Sequence, residues 1–169
     1  FLKGRDADYE AEFQKLIGDV RVFSKPLDRP RSPSTLIASY LTAPTLNVYR
    51  NADGEVREKV KEWSADADVI FIDHYEMAQY IPKNTSAKVV LHEHNAEFVM
   101  WQRLAELEKN PLKKRAISLE AQRVRKTELK YSRRADLVWA APNDIEELVK
   151  IGVDRSKCQV TFHLGEDFM

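Results

Sequence analysis

Residues 66–74 read DADVIFIDH, so that a continuous apolar run at 69–72 is followed by Asp73 and His74. A run of β-branched and aromatic residues without polar alternation is typical of a parallel-sheet strand that is covered on both faces. Short runs of similar composition occur at residues 20–23, 89–91, 137–140 and 160–162. The sequence therefore predicts five strands.

Helical patterns separate these runs. Apolar residues recur at helical spacing in two stretches, Ala11, Phe13, Leu16 and Ile17 in one and Val56, Val60 and Trp63 in the other. A third helix is predicted to begin at an N-cap Asn143 with Glu146 three residues on, and to end before Gly152. The prolines of residues 26–33 indicate a loop, and residues 34–54 indicate one or two short helices.

Because strand and helix alternate, the sequence predicts an α/β fold of the Rossmann-like, three-layer α/β/α kind with a mainly parallel sheet. Right-handed crossovers then bring the carboxyl ends of all the strands to one edge.

The longest helical segment covers about residues 97–134, with a break near Asn110-Pro111, since proline suits the first turn of a new helix. Its second half carries one stripe at spacings of four and three, formed by Ile117, Ala121, Val124, Glu128 and Tyr131. A carboxylate on an apolar stripe is costly unless it is paired or hydrogen-bonded. Glu128 is therefore predicted to be buried or half-buried and held by a polar partner.

Composition narrows the classes of function. The chain has 169 residues, enough for one domain, with 27 basic and 27 acidic residues. Zero net charge argues against a dedicated nucleic-acid binder. A single cysteine, Cys158, rules out an internal disulfide or a cysteine-based zinc cage. No apolar run approaches the ~20 residues that span a bilayer.

The four histidines all follow the carboxyl end of a predicted strand: His74, His92, His94 and His163. Open parallel sheets bind ligands in the crevice outside those ends. A single histidine there is most simply a capping or hydrogen-bonding residue. Four at one edge favour a functional cleft. We expect His74, His94 and His163 to project to that edge, whereas alternation along the strand could point His92 into the layer that covers the sheet.

The segment His92-Glu93-His94 also admits a metal site. Alternate strand residues share a face, so the two histidines could chelate zinc with His74 or Asp73 as third ligand. A His-x-His pair alone is a weak signal, and we predict no metal site. No nucleophile elbow or glycine-rich phosphate loop is present, and Cys158 has no evident base beside it.

Basic residues crowd the segment 113–134, where the sequence places Lys113, Lys114, Arg115, Arg123, Arg125, Lys126, Lys130, Arg133 and Arg134. The simplest interpretation is a solvated outer face. The alternative is attraction to anionic lipid headgroups, weakened by Glu120 and Glu128 on the same helix.

Several segments together resemble a known family: residues 65–74, the strand and loop at 89–97, the strand entry at 132–138, the helix start at 143–148 and residues 159–167. In order and spacing they resemble the N-terminal half of a GT-B glycosyltransferase of the retaining family-4 (group 1) kind. The match covers roughly residues 60–169. It departs from the family where Ala141 or Pro142 replaces a serine and where His163-Leu164 replaces a Pro-Asn pair.

The resemblance implies that residues 1–169 form one Rossmann-like acceptor-side domain, truncated at both ends. The first strand would precede Phe1. Residues 163–169 would begin a linker to an absent C-terminal donor-binding domain. The whole enzyme would be cytoplasmic and transfer a sugar from a nucleotide-sugar donor to a hydroxyl acceptor on a glycan, lipid or small molecule. It would need no cofactor, and the isolated domain would be inactive.

The resemblance also assigns residues. His74 matches a catalytic-site histidine near the transferred sugar, and an imidazole at a strand end suits proton handling. The acceptor-binding residues would be His94, Asn95 and Glu97, although Glu97 also suits simple capping of a helix N-terminus. The residues His163 and Gly165 would line the interdomain cleft.

Three other functions stay open at this stage. A sugar-nucleotide epimerase could share the same fold. A non-catalytic interaction module could use the basic helix as its contact surface. A histidine-metal hydrolase could use His92 and His94.

Overall fold

Four strands form one parallel sheet in the part of the chain that the structure describes. The structure is a computed structural model that describes residues 14–27, 29–30 and 32–162. The strands follow one another across the sheet in chain order: β1 Val69–Asp73, β2 Lys88–His92, β3 Leu137–Ala140 and β4 Cys158–Val160. The predicted α/β fold with a parallel sheet is confirmed, and it is consistent with the Rossmann-like three-layer class.

Besides the helical residues 14–17, the described part of the chain contains these helices: α1 Pro33–Thr42, α2 Leu46–Arg50, α3 Gly54–Trp63, α4 Glu97–Leu107, α5 Pro111–Arg134 and α6 Pro142–Lys150. Two 3₁₀ helices, Tyr75–Tyr80 and Arg155–Lys157, complete the connections. The short helices predicted within 34–54 are present as α1 and α2. The predicted break at Asn110-Pro111 is also present, and the Asn110 side chain accepts hydrogen bonds from the amides of Leu112 and Lys113.

The core lies on one face of the sheet. Ile72, Leu91 and Val138 point there and are buried, and helices α4, α5 and α6 contribute apolar side chains to the same cluster. The predicted stripe of α5 belongs to it, since Ala121, Val124, Glu128 and Tyr131 are all buried. The opposite face is more open: Val69 and Phe71 of β1 remain about half exposed, at 55% and 51%.

The run at residues 20–23 is not a strand, contrary to prediction. It pairs with no strand, and Val20 and Phe23 are exposed. Instead the segment lies beside α3, where the guanidinium of Arg21 sits 5.2 Å from the ring centre of Trp63. Residues with high strand propensity form a strand only where another strand pairs with them and one face is buried, and this run has neither a partner strand nor a buried face.

Three smaller differences concern ends of elements. β4 begins at Cys158 and ends at Val160, earlier than the predicted run at 160–162. Residues 14–17 are helical as predicted, but Leu16 is exposed, and Ala11 and Phe13 lie outside the described residues. Helix α6 begins at Pro142 with Ala141 as N-cap, so Asn143 is not the cap.

The predicted end of α6 is confirmed. Gly152 has φ +107°, a conformation that favours glycine, and its amide donates to the carbonyl of Val149 at 2.9 Å. The amide of Val153 donates to the carbonyl of Leu148 at 3.1 Å. These two bonds form a Schellman motif that satisfies the last carbonyls of the helix.

Candidate functional site

Three histidines meet at the carboxyl edge of the sheet: His74 and His94, as the sequence predicted, and His92, which was expected in the covering layer. The strand β1 ends at Asp73 and β2 ends at His92, and these two residues are direct partners in the parallel ladder. His74 follows β1 immediately, and its amide donates to the carbonyl of His92 at 3.0 Å. His94 comes two residues after β2. The ladder therefore fixes the backbone from which all three imidazoles project.

One carboxylate oxygen joins two of these rings. Oδ1 of Asp73 lies 2.9 Å from Nδ1 of His92 and 2.6 Å from Nε2 of His94. An ionised carboxylate can only accept, so each ring donates an N–H to the same oxygen. Burial by itself raises the pKa of Asp73, but the hydrogen bonds from His94 and His92 outweigh it and hold the pKa below its usual value. Asp73 is therefore a fixed negative charge between two imidazoles.

The third ring is stacked on this pair. The rings of His74 and His94 are nearly parallel, with centres 3.8 Å apart and planes 12° apart. His74 also has φ +72° and ψ 139°, and it is the only residue other than glycine with positive φ among those the structure describes. A side chain in this conformation costs on the order of 1–3 kcal/mol, and such residues cluster at functional sites.

The structure changes the expected place of His92. Alternation along β2 was predicted to direct it into the layer that covers the sheet. Instead its ring lies on the more open face, 5.9 Å from the ring centre of Phe71 and within the histidine cluster. The reason is register, because His92 pairs with Asp73 and shares its face.

The loop after β2 carries the remaining predicted residues. Asn95 is exposed in this loop, and Glu97 is the first residue of α4. The predictions of an interdomain role for His163 and Gly165 fall on residues outside the described part of the chain.

Two carboxylates from other helices hold this loop. Glu128 of α5 is fully buried and accepts hydrogen bonds from the amides of Glu97 and Phe98 at 2.8 and 2.9 Å. The predicted burial and polar partner of Glu128 are thus confirmed. Asp144 accepts from the amide of Ala96 at 2.8 Å. The first amides of α4 lack partners within the helix, and these side chains supply them.

Buried carboxyl groups form a second layer beneath the histidines. The pKa of Glu128 is raised to about 8, first by burial and then by the neighbouring charges of Glu97 and Glu76, against the effect of its two amide donors. Burial likewise raises the pKa of Glu93 well above its usual value, as does the nearby charge of Glu128. Burial also raises the pKa of Glu76. Glu128 therefore tends to hold its proton at neutral pH, and the pKa values of Glu93 and Glu76 are shifted in the same direction.

The cluster also has the composition of a metal site. Asp73, His92 and His94 each offer one ligand atom, and these three atoms all lie within 4.8 Å of one another. The sequence identified the two histidines, but Asp73 was only one of two options for a third ligand. His74 instead stacks its ring on His94.

The sequence did not predict the roles of three residues of this site. Asp73 links His92 and His94, Glu93 is buried, and Asp144 holds the loop through the amide of Ala96. The strand pairing could have revealed Asp73, since it ends β1 where His92 ends β2. Alternation could have revealed Glu93, which must face opposite to His92 and His94 and is 1% exposed. No local signal identifies Asp144 as a partner of Ala96, because 48 residues separate them.

The basic segment of α5 is mostly solvated. Its exposed cations are Lys113, Lys114, Arg115, Arg125, Lys126, Lys130, Arg133 and Arg134. Arg123 is the exception: its guanidinium donates to Glu120 at 2.5 Å and to the carbonyls of Ser39 and Ala43 at 2.8 Å. Glu120 is buried and paired with Arg123, and Glu128 is buried as well, so neither carboxyl group lies among the exposed cations.

Two further findings bear on what the chain is. Within the described residues, no helix combines the length and the apolar character needed to cross a bilayer. Comparisons with protein-family models, with curated proteins and with solved structures found no match to this chain.

Proposed function

We propose that residues 1–169 are the acceptor-side domain of a cytoplasmic glycosyltransferase that moves a sugar from a nucleotide-sugar donor to a hydroxyl acceptor. One observation carries this proposal: the histidines of two neighbouring strand ends, His74 and His94, are stacked at the carboxyl edge of a parallel sheet and tied to Asp73. That edge is where open α/β sheets bind their ligands. The family resemblance of residues 60–169 supports the same reaction class.

In this proposal His74 is the catalytic residue. Its ring stands at the strand end, half-buried, where it can orient the transferred sugar or move a proton. His94 and Asn95 bind the acceptor hydroxyl. Asp73 acts as a positioning residue, since its hydrogen bond fixes the ring of His94. The main-chain amide of Glu97 donates a hydrogen bond to Glu128, and this bond holds the start of α4 in place.

The experiment is a sugar-transfer assay on the full-length protein of which residues 1–169 are proposed to be one domain. Purified protein is incubated with a panel of nucleotide sugars, and release of nucleoside diphosphate is measured with and without hydroxyl acceptors. We expect acceptor-dependent release from the whole protein and none from residues 1–169 alone, because transfer needs donor and acceptor held together.

The alternatives give different products in the same assay. A sugar-nucleotide epimerase would convert the donor without any acceptor, and a non-catalytic interaction module would leave every donor intact. Robust transfer by residues 1–169 alone would contradict the acceptor-side assignment.

A specific surface also favours contact with a membrane. Leu107 is the last residue of α4 and Leu112 is the second residue of α5, and they are 78% and 80% exposed on either side of the connecting turn. The exposed cations Lys113, Lys114 and Arg115 follow directly. Apolar side chains beside a cluster of cations suit an anionic bilayer surface. We propose that this turn rests on the membrane and brings the cleft near a lipid-linked acceptor.

Vesicle co-sedimentation tests the membrane proposal. Replacing Lys113, Lys114 and Arg115 by glutamine should weaken binding to phosphatidylserine-containing vesicles by about 100-fold, since each cation contributes ~1 kcal/mol. The matched control removes three exposed charges further along the helix, Arg125, Lys126 and Lys130, and should bind nearly as the parent does. Equal losses in both variants, or equal binding to neutral vesicles, would refute the assigned surface.

A further inference from the structure

We propose that Asp73, His92 and His94 bind a divalent transition-metal ion, with Zn²⁺ as the expected ion. The site shares Asp73 and His94 with the proposed acceptor side, but zinc binding can be measured without any transfer activity, so the two proposals are tested separately. It rests on three ligand atoms that the fold brings together from two strand ends, Oδ1 of Asp73, Nδ1 of His92 and Nε2 of His94.

The distances between these atoms suit a small ion after minor rotation. Zinc binds nitrogen and oxygen ligands at about 2.0–2.2 Å in a tetrahedral arrangement, which places neighbouring ligand atoms about 3.3 Å apart. Oδ1 of Asp73 is 2.9 Å from Nδ1 of His92 and 2.6 Å from Nε2 of His94. An ion entering between them therefore needs to move Oδ1 away from each nitrogen by less than an ångström, and the two nitrogens lie within 4.8 Å of each other.

The fold holds the ligands in advance. Asp73 and His92 are ladder partners on one face of the sheet, and the ring of His92 is only 15% exposed beside Phe71. The loop that carries His94 is tied to β3, since the amide of Glu93 donates to the carbonyl of Trp139 at 2.8 Å. The carboxylate of Asp73 is 56% exposed, so it can rotate toward an ion without losing buried contacts.

The donor set determines which ion fits. Two imidazoles and one carboxylate favour zinc and its first-row neighbours, whereas magnesium and calcium prefer oxygen ligands throughout. Three protein ligands leave one tetrahedral position open, as in catalytic zinc sites. The open position suits an oxygen of a hydroxyl or phosphate group of a bound ligand.

Zinc binding to the full-length protein tests the proposal directly. The protein is stripped with a chelator, and its zinc affinity is measured by competition with a chromophoric chelator in the presence of excess Mg²⁺. We expect one zinc ion that is lost when a ligand is removed, with affinity falling by about 100-fold or more in Asp73→Asn, His92→Ala and His94→Ala.

The matched control is His74→Phe, which removes a histidine of the same cluster but keeps a ring against His94. Its zinc affinity should fall by less than about tenfold. Replacing a residue that contacts a metal ligand typically costs about 10- to 100-fold in affinity, and the phenyl ring keeps the contact with His94. Circular dichroism and thermal melts without zinc report whether each variant is folded. Among folded variants, zinc that stays bound in all three ligand variants overturns the proposal. Failure of the parent to bind zinc, or equal loss in His74→Phe, overturns it as well.

Discussion

Replacing His74 by glycine is expected to lower turnover by about 100-fold or more, the range typical of a lost acid–base group, and to leave the fold intact. The backbone of His74 has φ +72°, which glycine adopts without strain. Relief of that strain offsets the greater freedom that glycine gives the unfolded chain. We therefore expect the free energy of unfolding to stay within about 1 kcal/mol of the parent value or to rise slightly.

The comparison with His74→Ala separates the two effects. Alanine also lacks the imidazole but keeps the strained backbone, so both variants should lose activity while the glycine variant is the more stable. The measurements are initial rates of sugar transfer by the full-length protein and denaturant unfolding of each variant. A glycine variant with the parent's rate would remove the catalytic assignment of His74.

His92 is not suitable as an inert control for this experiment. Its ring shares the oxygen of Asp73 with His94, so its removal alters the hydrogen bonding of the acceptor-side residue. A loss of rate in His92→Ala would therefore not count against a special role of His74. The pair of His74 variants avoids this ambiguity because both lack the same imidazole and leave the hydrogen bonds of Asp73 to His92 and His94 in place.

Stability is expected to fall as pH rises from about 5 to 8, because of the buried carboxyl groups beneath the site. The pKa of Glu128 is about 8 in the folded chain, against 4.5 as its ordinary value. Between those values the folded chain keeps a proton that the unfolded chain has released. The stabilisation is thus fully present below about pH 4.5 and is lost as pH rises through the folded pKa, with a change on the order of 3 kcal/mol between pH 5 and pH 8.

The variant Glu128→Gln should lose much of this pH dependence. Its amide cannot ionise, but it offers only one acceptor oxygen to the two amides that Glu128 binds. At pH 5 the variant should therefore be less stable than the parent by about 1–2 kcal/mol. The difference should shrink or reverse by pH 8. Urea unfolding at several pH values measures it.

The exposed Glu106 supplies the control for this series. Glu106→Gln changes the same functional group on the surface of α4 and should follow the pH curve of the parent. Parallel curves for the parent and Glu128→Gln would show that Glu128 does not carry the expected proton. Residual pH dependence in Glu128→Gln is expected from Glu93 and Glu76, whose pKa values are raised in the same direction.

Much of the fold could be predicted from local patterns. Apolar runs at 69–72, 89–91 and 137–140 indicated strands correctly because continuous runs are typical of buried parallel sheets. Proline and asparagine at 110–111 marked the start of α5, and Gly152 marked the end of α6. The failure at residues 20–23 has a clear cause: the run has strand composition, but no neighbouring strand pairs with it.

The sequence by itself determined that strand and helix alternate, that the described histidines stand at strand ends, and that Glu128 lies on the buried stripe of α5. These features depend on periodicity and neighbours along the chain. Only the tertiary structure decided that Asp73 faces His92, that His74 stacks on His94 and that Glu128 and Asp144 hold the start of α4. Those contacts join segments roughly 20–50 residues apart, and they depend on strand register and helix packing, which local propensity does not encode.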